Sequence, residues 1–244
     1  MSIMVKHIKI NKDGVRNLIN GLTKFKKQVT DSCSEVNGCN LVNSSFAGEK
    51  PVDLSNFITE LYNKCGDIQK QIDLLQSRLD IAIAANEGGV TTTNPDGTIS
   101  YQLPDGVEDT VANTEAIKKE NKVDLVNQAR QDAELLKAAN KGSLDPQTYD
   151  ELLARLQKNA NNPVYANAFL ANTPPEVLLD SPLNIQNDFP EEYEKDQWGY
   201  AETLKPLKPS VRPHAARDLS TALGHILASA SGSDNWSAEK GKAY

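Results

Sequence analysis

Histidines, cysteines and clustered carboxylates are the side chains best equipped for chemistry, and in these 244 residues they are few and scattered. His7, His214 and His225 each stand alone, with no second histidine one helical turn away and no His-Glu-x-x-His, which argues against a helical zinc site. Cys33, Cys39 and Cys65 include no Cys-x-x-Cys pair. Their plainest reading is as small apolar packing groups. The chain has neither a Gly-x-Ser-x-Gly elbow nor a glycine-rich phosphate cradle. Glu191, Glu192, Glu194 and Asp196 form a dense acidic run. Acid–base work needs two carboxylates in contrasting surroundings, so this run reads as a solvated face. Asn94-Pro95-Asp96-Gly97 lacks the alternating oxygen ligands and terminal glutamate of a calcium loop and reads as a turn. The expectation is a protein with no catalytic residues, metal, cofactor or small-molecule substrate.

Positioning falls to helices. Val15, Leu18, Leu22, Phe25, Val29, Cys33 and Val36 recur at steps of three and four. Leu54, Phe57, Leu61, Cys65, Ile68, Ile72, Leu75, Leu79 and Ala82 do the same. Such stripes are the seam of a coiled coil and need a partner helix. Between them, Gly48 can take positive φ, Pro51 cannot continue a helix and Asp53 can cap the next one. The pattern predicts an antiparallel hairpin with arms of about 35 residues, or about 50 Å. Residues 1–50 carry eight basic and four acidic side chains, and residues 51–90 three and six. Opposite charge on two arms helps them choose each other. Lys24, Lys26 and Lys27 have no interleaved aromatics, so they read as a solvated helix face and not as a nucleic-acid site.

The full reading is a mainly α fold in five parts. Residues 1–90 form the hairpin. Residues 91–106 form a small β-hairpin around Asn94–Gly97, flanked by β-branched residues. Residues 107–185 hold a third long helix from about residue 108 to 141, then a compact subdomain of short helices. Asp145-Pro146, Asn162-Pro163 and Thr173-Pro174 open those short helices with an N-cap followed by proline. Residues 186–215 are irregular and rich in proline and aromatics, and residues 216–244 return to helix. Ser233–Tyr244 begins an amphipathic pattern that stops abruptly, as the front part of a longer polypeptide would. The Met1–Lys12 leader lacks the apolar core of a cleaved signal, and the longest apolar run, Ile81 to Ala85, is far short of a membrane span. The chain is therefore cytoplasmic or exported without a cleaved signal.

Ser45-Phe46-Ala47-Gly48 lies between the two matched stripes. The arrangement resembles the Trp-x-Gly helical hairpins of type VII secretion substrates, with Phe46 in the tryptophan position, over residues 11–88. Those hairpins carry a Tyr-x-x-x-Asp/Glu export signal after the second helix, and Tyr101-Gln-Leu-Pro-Asp105 is the candidate here. Pro104 departs from that pattern by forbidding the helix that would align the two side chains. Asn161-Asn162-Pro163, Ala166-x-Ala168-Phe169 and Pro175-Glu-x-Leu-Leu-Asp180-x-Pro182 are similar to a helical region of unknown function in large actinobacterial proteins. Together these resemblances imply a secreted or surface protein that pairs with a helical partner or with the secretion machinery, through a turn at Phe46 and Gly48. On this reading Cys33 and Cys65, at similar distances from the turn, are candidates for a disulfide across the arms. The alternative is a cytoplasmic or phage-derived helical scaffold with no export role.

Overall fold

The first arm, α1 (Lys12–Asn43), starts where the Asn11 side chain accepts the Gly14 amide at 2.8 Å. The second arm is α2 (Ser55–Glu87). A computed structural model describes residues 6–43, 54–188 and 215–230. The Phe46–Gly48 turn and the Asp53 cap therefore lie outside the described residues.

The arms are antiparallel and pack on each other along most of their length. Ile58, Cys65, Ile72 and Leu79 on α2 are all buried and fall at steps of seven, the spacing of one seam position in a coiled coil. The α1 side of the seam is weaker. Val15, Ile19, Leu22 and Val29 are only half-buried, and the seam also takes in Lys26 and Thr30. Lys26 Nζ donates to Gln69 Oε1 at 2.6 Å, and Thr30 Oγ1 lies 4.0 Å from the Cys65 sulfur. Leu18, Phe25 and Val36, expected inside, are instead exposed. The apolar stripe of α1 is wider than one partner helix can cover.

Gly88 and Gly89 end α2 in a Schellman motif. The Val90 amide donates to Ala85 O at 2.8 Å and the Gly89 amide to Asn86 O at 3.1 Å, with Gly89 at φ 68°. Residues 88–91 are thereby committed to the cap and cannot form the strand expected beside Asn94–Gly97. The turn itself is present, with the Gly97 amide donating to Asn94 O at 2.9 Å. The strand after it, β2 (Ile99–Leu103), pairs antiparallel with β1 (Lys6–Ile10) from the chain start, with Ile8 opposite Tyr101. Side chains cover the other edge of β2. Thr91 Oγ1 donates to Ser100 O at 2.7 Å, and the Asn121 amide group both accepts from Gln102 N and donates to Gln102 O. Two side chains thus stand in for a third strand.

Asn121 also explains why the expected third long helix is broken. After a 3-10 turn at Val111–Asn113 come α3 (Thr114–Glu120) and α4 (Val123–Asn140), separated by Asn121 and a left-handed Lys122 at φ 54°. The break lets a fully buried Asn121 reach the sheet. Three shorter helices follow, α5 (Pro146–Asn159), α6 (Pro163–Asn172) and α7 (Pro175–Asp188), then α8 (Ala215–Ser229). Asp145 and Asn162 cap α5 and α6 as expected, each followed by proline. Thr173 behaves differently. Its hydroxyl turns back to Phe169 O at 2.7 Å, so α7 starts after Pro174 instead.

The fold is mainly α with one small antiparallel sheet. Leu136, Leu152, Leu153, Leu156, Phe169, Leu219 and Ile226 form one continuous core with Ile81, Ala82, Ala84 and Tyr101. The inner half of α2 therefore belongs to the helical body, while its outer half and most of α1 project as an arm.

At the root of the arm, a methyl group on Gly88 would meet Val164 Cγ1 at 2.8 Å and Val126 Cγ2 at 2.9 Å. Overpacking of this kind outweighs the few tenths of a kcal/mol gained in chain entropy. Gly88→Ala is expected to lower stability by about 1–3 kcal/mol in urea unfolding.

Candidate helix-docking site

The exposed part of the α1 stripe faces the outer end of α2. Phe25, Val29, Cys33 and Val36 from α1 and Leu54, Phe57, Ile58 and Leu61 from α2 line an open groove of about 430 Å³. Phe25 is 52% exposed and Phe57 59% exposed, whereas a soluble arm with a finished seam would hide both. On α1 the residues along this face are Leu18, Gly21, Phe25, Gln28, Ser32 and Val36, none of them charged. An uncharged concave strip between two helices, with an aromatic on each side, has the form that accepts a third helix.

The arm is fastened to the body by charge. Arg78, 4% exposed, interrupts the apolar stripe of α2 between Leu75 and Leu79. Its Nε donates to Asp109 Oδ1, Nη2 to Thr110 O at 2.8 Å and Nη1 to Thr114 Oγ1 at 3.2 Å. The Tyr101 hydroxyl donates to the other oxygen of Asp109. One carboxylate thus ties the arm, the sheet and the segment before α3. Burial and the bond to Asp109 both push the Tyr101 phenol above the ordinary tyrosine range. A second fastening lies at the end of α2, where Arg130 Nε donates to Glu87 Oε2 at 2.8 Å and Asn172 Nδ2 to the same oxygen at 3.1 Å.

Within the body Asp132 is fully buried and saturated. It accepts from Arg155 Nε at 2.8 Å, from the Tyr165 hydroxyl at 2.7 Å and from Gln128 Nε2 at 3.2 Å. Burial, then the Asp132 charge, hold the Tyr165 phenol protonated well above its usual range. A carboxylate gripped by three donors is a fastening between α4, α5 and α6. By comparison, exposed pairs such as Lys118–Glu115 and Lys70–Asp67 contribute only about 0.3–0.5 kcal/mol.

The structure scatters most residues singled out from the sequence. Tyr101 points into the core and Asp105 is exposed in the turn after β2. The two side chains are not brought together, because Tyr101 is committed to Asp109. Cys33 and Cys65 are both buried and both free thiols, so the expected bridge is corrected. The register sets Thr30, and not Cys33, against Cys65. His7 lies on β1 opposite Gln102, and His225 Nδ1 is 3.3 Å from Asn161 Oδ1 on the surface. His214, the side chain of Cys39 and the acidic run Glu191–Asp196 lie outside the described residues. Among the described residues no cluster of metal-binding side chains occurs, and no helix is long and apolar enough to cross a membrane. Sequence reading missed Arg78, Asp109, Asp132 and Asn121. For Arg78 and Asp132 a signal existed, since each is a charge set inside an apolar helical stripe.

The fold and groove define a mainly helical protein that projects a two-helix arm with an open apolar face. The chain belongs to a family of unknown function, DUF6571, whose match spans residues 4–244. Neither a curated protein nor a solved structure matches it.

Asp132→Ala, which strands the Tyr165 hydroxyl and the Arg155 charge, is expected to cost about 3 kcal/mol. Arg78→Ala is expected to cost less, about 2 kcal/mol, because the Asp109 side chain is 31% exposed and can reach water. Urea unfolding measures both. A phenol whose pKa is raised by folding contributes stability below the unfolded tyrosine value near ~10, and loses it as pH rises further. The urea midpoint should therefore fall above about pH 10, and Tyr165→Phe should flatten that fall.

Proposed function

We propose that this chain is a non-catalytic interaction protein whose two-helix arm docks onto a helical partner, and that it leaves the cell without a cleaved signal peptide. The observation carrying the docking reading is the groove at the outer end of the arm, with Phe25 and Phe57 both more than half exposed. Water-exposed aromatics on facing helices are stabilised when a further helix covers them, at roughly 1.5–3 kcal/mol per side chain fully buried. Export rests on the resemblance to Trp-x-Gly hairpins. The matched arms of 32 and 33 described residues support that likeness.

Burial of Tyr101 favours a second reading, a cytoplasmic helical scaffold with no export role. A tyrosine bonded to Asp109 inside the core is not presented to a transport machine unless the sheet opens. Both readings keep the arm as the working part and differ only in where it works.

Two measurements test these statements. Fractionated cultures should contain full-length chain outside the cell, and its confinement to the cytoplasm would leave the scaffold reading. A photo-crosslinking amino acid at Phe57 should capture a protein in living cells, whereas the same probe at Gly66, on the far side of α2, should not. Equal labelling at both positions, or none at Phe57, refutes docking through the groove.

A further inference from the structure

We infer that the occupant of the groove is a second copy of this chain, laid antiparallel across the outer end of the arm about a two-fold axis. The inference rests on the docking reading above and adds the identity of the partner.

Charge placement carries it. Lys24 and Glu35 are exposed and eleven residues apart, about three turns, so they lie on one line down the flank of the uncharged α1 face. Their midpoint falls between Val29 and Thr30. Lys64 and Asp67 are exposed on the matching flank of α2. Thr30 faces Cys65 and Lys26 faces Gln69, which puts Lys64 level with Asp31 and Asp67 level with Gln28. The midpoint of that pair also falls between Val29 and Thr30.

One two-fold axis through this level therefore serves both helices. It sets Lys24 against Glu35 of the copy and Lys64 against Asp67 of the copy, and each pairing occurs twice. No like charges are opposed by it. Glu60, level with Glu35, comes over Gln71 of the copy. Asp67 bonds Lys70 within its own helix, but that exposed pair is weak enough to rearrange. Between the charged flanks Phe25 of each copy comes level, to within about one turn, with Phe57 of the other over an uncharged strip. A self-complementary patch of this kind is an isologous interface. The opposite arrangement, with both arm tips at the same end, would set Lys64 against Asp31 of the copy but also Glu60 against Glu35, so of the two only the antiparallel one opposes no like charges.

Sedimentation equilibrium of the purified full chain tests the inference. A monomer–dimer equilibrium is expected. Lys24→Glu or Glu35→Lys alone should weaken it on the order of tenfold, since each places like charges together twice. The double variant K24E/E35K should restore it to within about threefold. Phe57→Asp should leave a monomer with unchanged circular dichroism, because Phe57 is exposed in the single chain. A chain that stays monomeric at about 0.5 mM, or a dimer indifferent to the single charge reversals, overturns the inference. If the monomeric chain is crosslinked through position 57 to a different protein, self-pairing fails while docking through the groove stands. A dimer unaffected by Phe57→Asp removes self-pairing through the groove altogether.

Discussion

The inner half of α2 is the constraint on which the rest depends. Leu79, Ile81, Ala82, Ala84 and Ala85 are at most 2% exposed, so this stretch is enclosed on nearly every side. The three alanines let β2, α4 and α6 approach closely, and Gly88 leaves no room for a methyl group between Val126 and Val164. A helix held so firmly at one end carries its other end outward as a rigid lever. Position and direction of the whole arm follow from packing about 30 Å or more from its tip.

Arg78 sits at the boundary between these two halves. Six residues toward the arm, Ile72 still belongs to the seam, and the next buried seam position, Leu79, already belongs to the body. A buried guanidinium is unfavourable unless it is paired and hydrogen-bonded. Here Asp109, Thr110 and Thr114 each accept from a different one of its three nitrogens, which folds the segment after β2 back over α2 and fixes where α3 begins. Polar groups with one acceptable arrangement select register more than they add stability. The same logic holds for Asn121, whose single amide breaks a helix and closes the edge of a strand.

The arm is made differently from the body. Its seam contains Lys26, Thr30 and two thiols where a self-sufficient hairpin would place leucine or isoleucine. The wide α1 stripe keeps Phe25, Val36 and Leu18 outside it. A seam of this strength leaves part of the apolar surface of the arm open to water. Leucine-rich packing is reserved for α4 to α8, where Leu152, Leu153 and Leu156 are fully hidden.

Local pattern was enough to determine most of the helices, though not the break at Asn121, together with the two proline-led caps and the antiparallel pairing of two long arms. Each is written in neighbouring residues, through periodicity or through backbone freedom. The partner of β2 was not, because β1 is nearly ninety residues away in sequence and the tempting local strand had already been consumed by a helix cap. Nor was the split of the α1 stripe into a seam and an exposed face. Apolar residues at 15, 18, 22 and 25 look alike until a second helix covers one side of them and leaves the other open. Tyr101 makes the same point, since a tyrosine before Pro104 and Asp105 reads as a surface signal until Asp109 arrives from six residues beyond the strand to bind it. Only the folded chain decides which of several equivalent side chains face inward, because burial depends on what arrives from elsewhere.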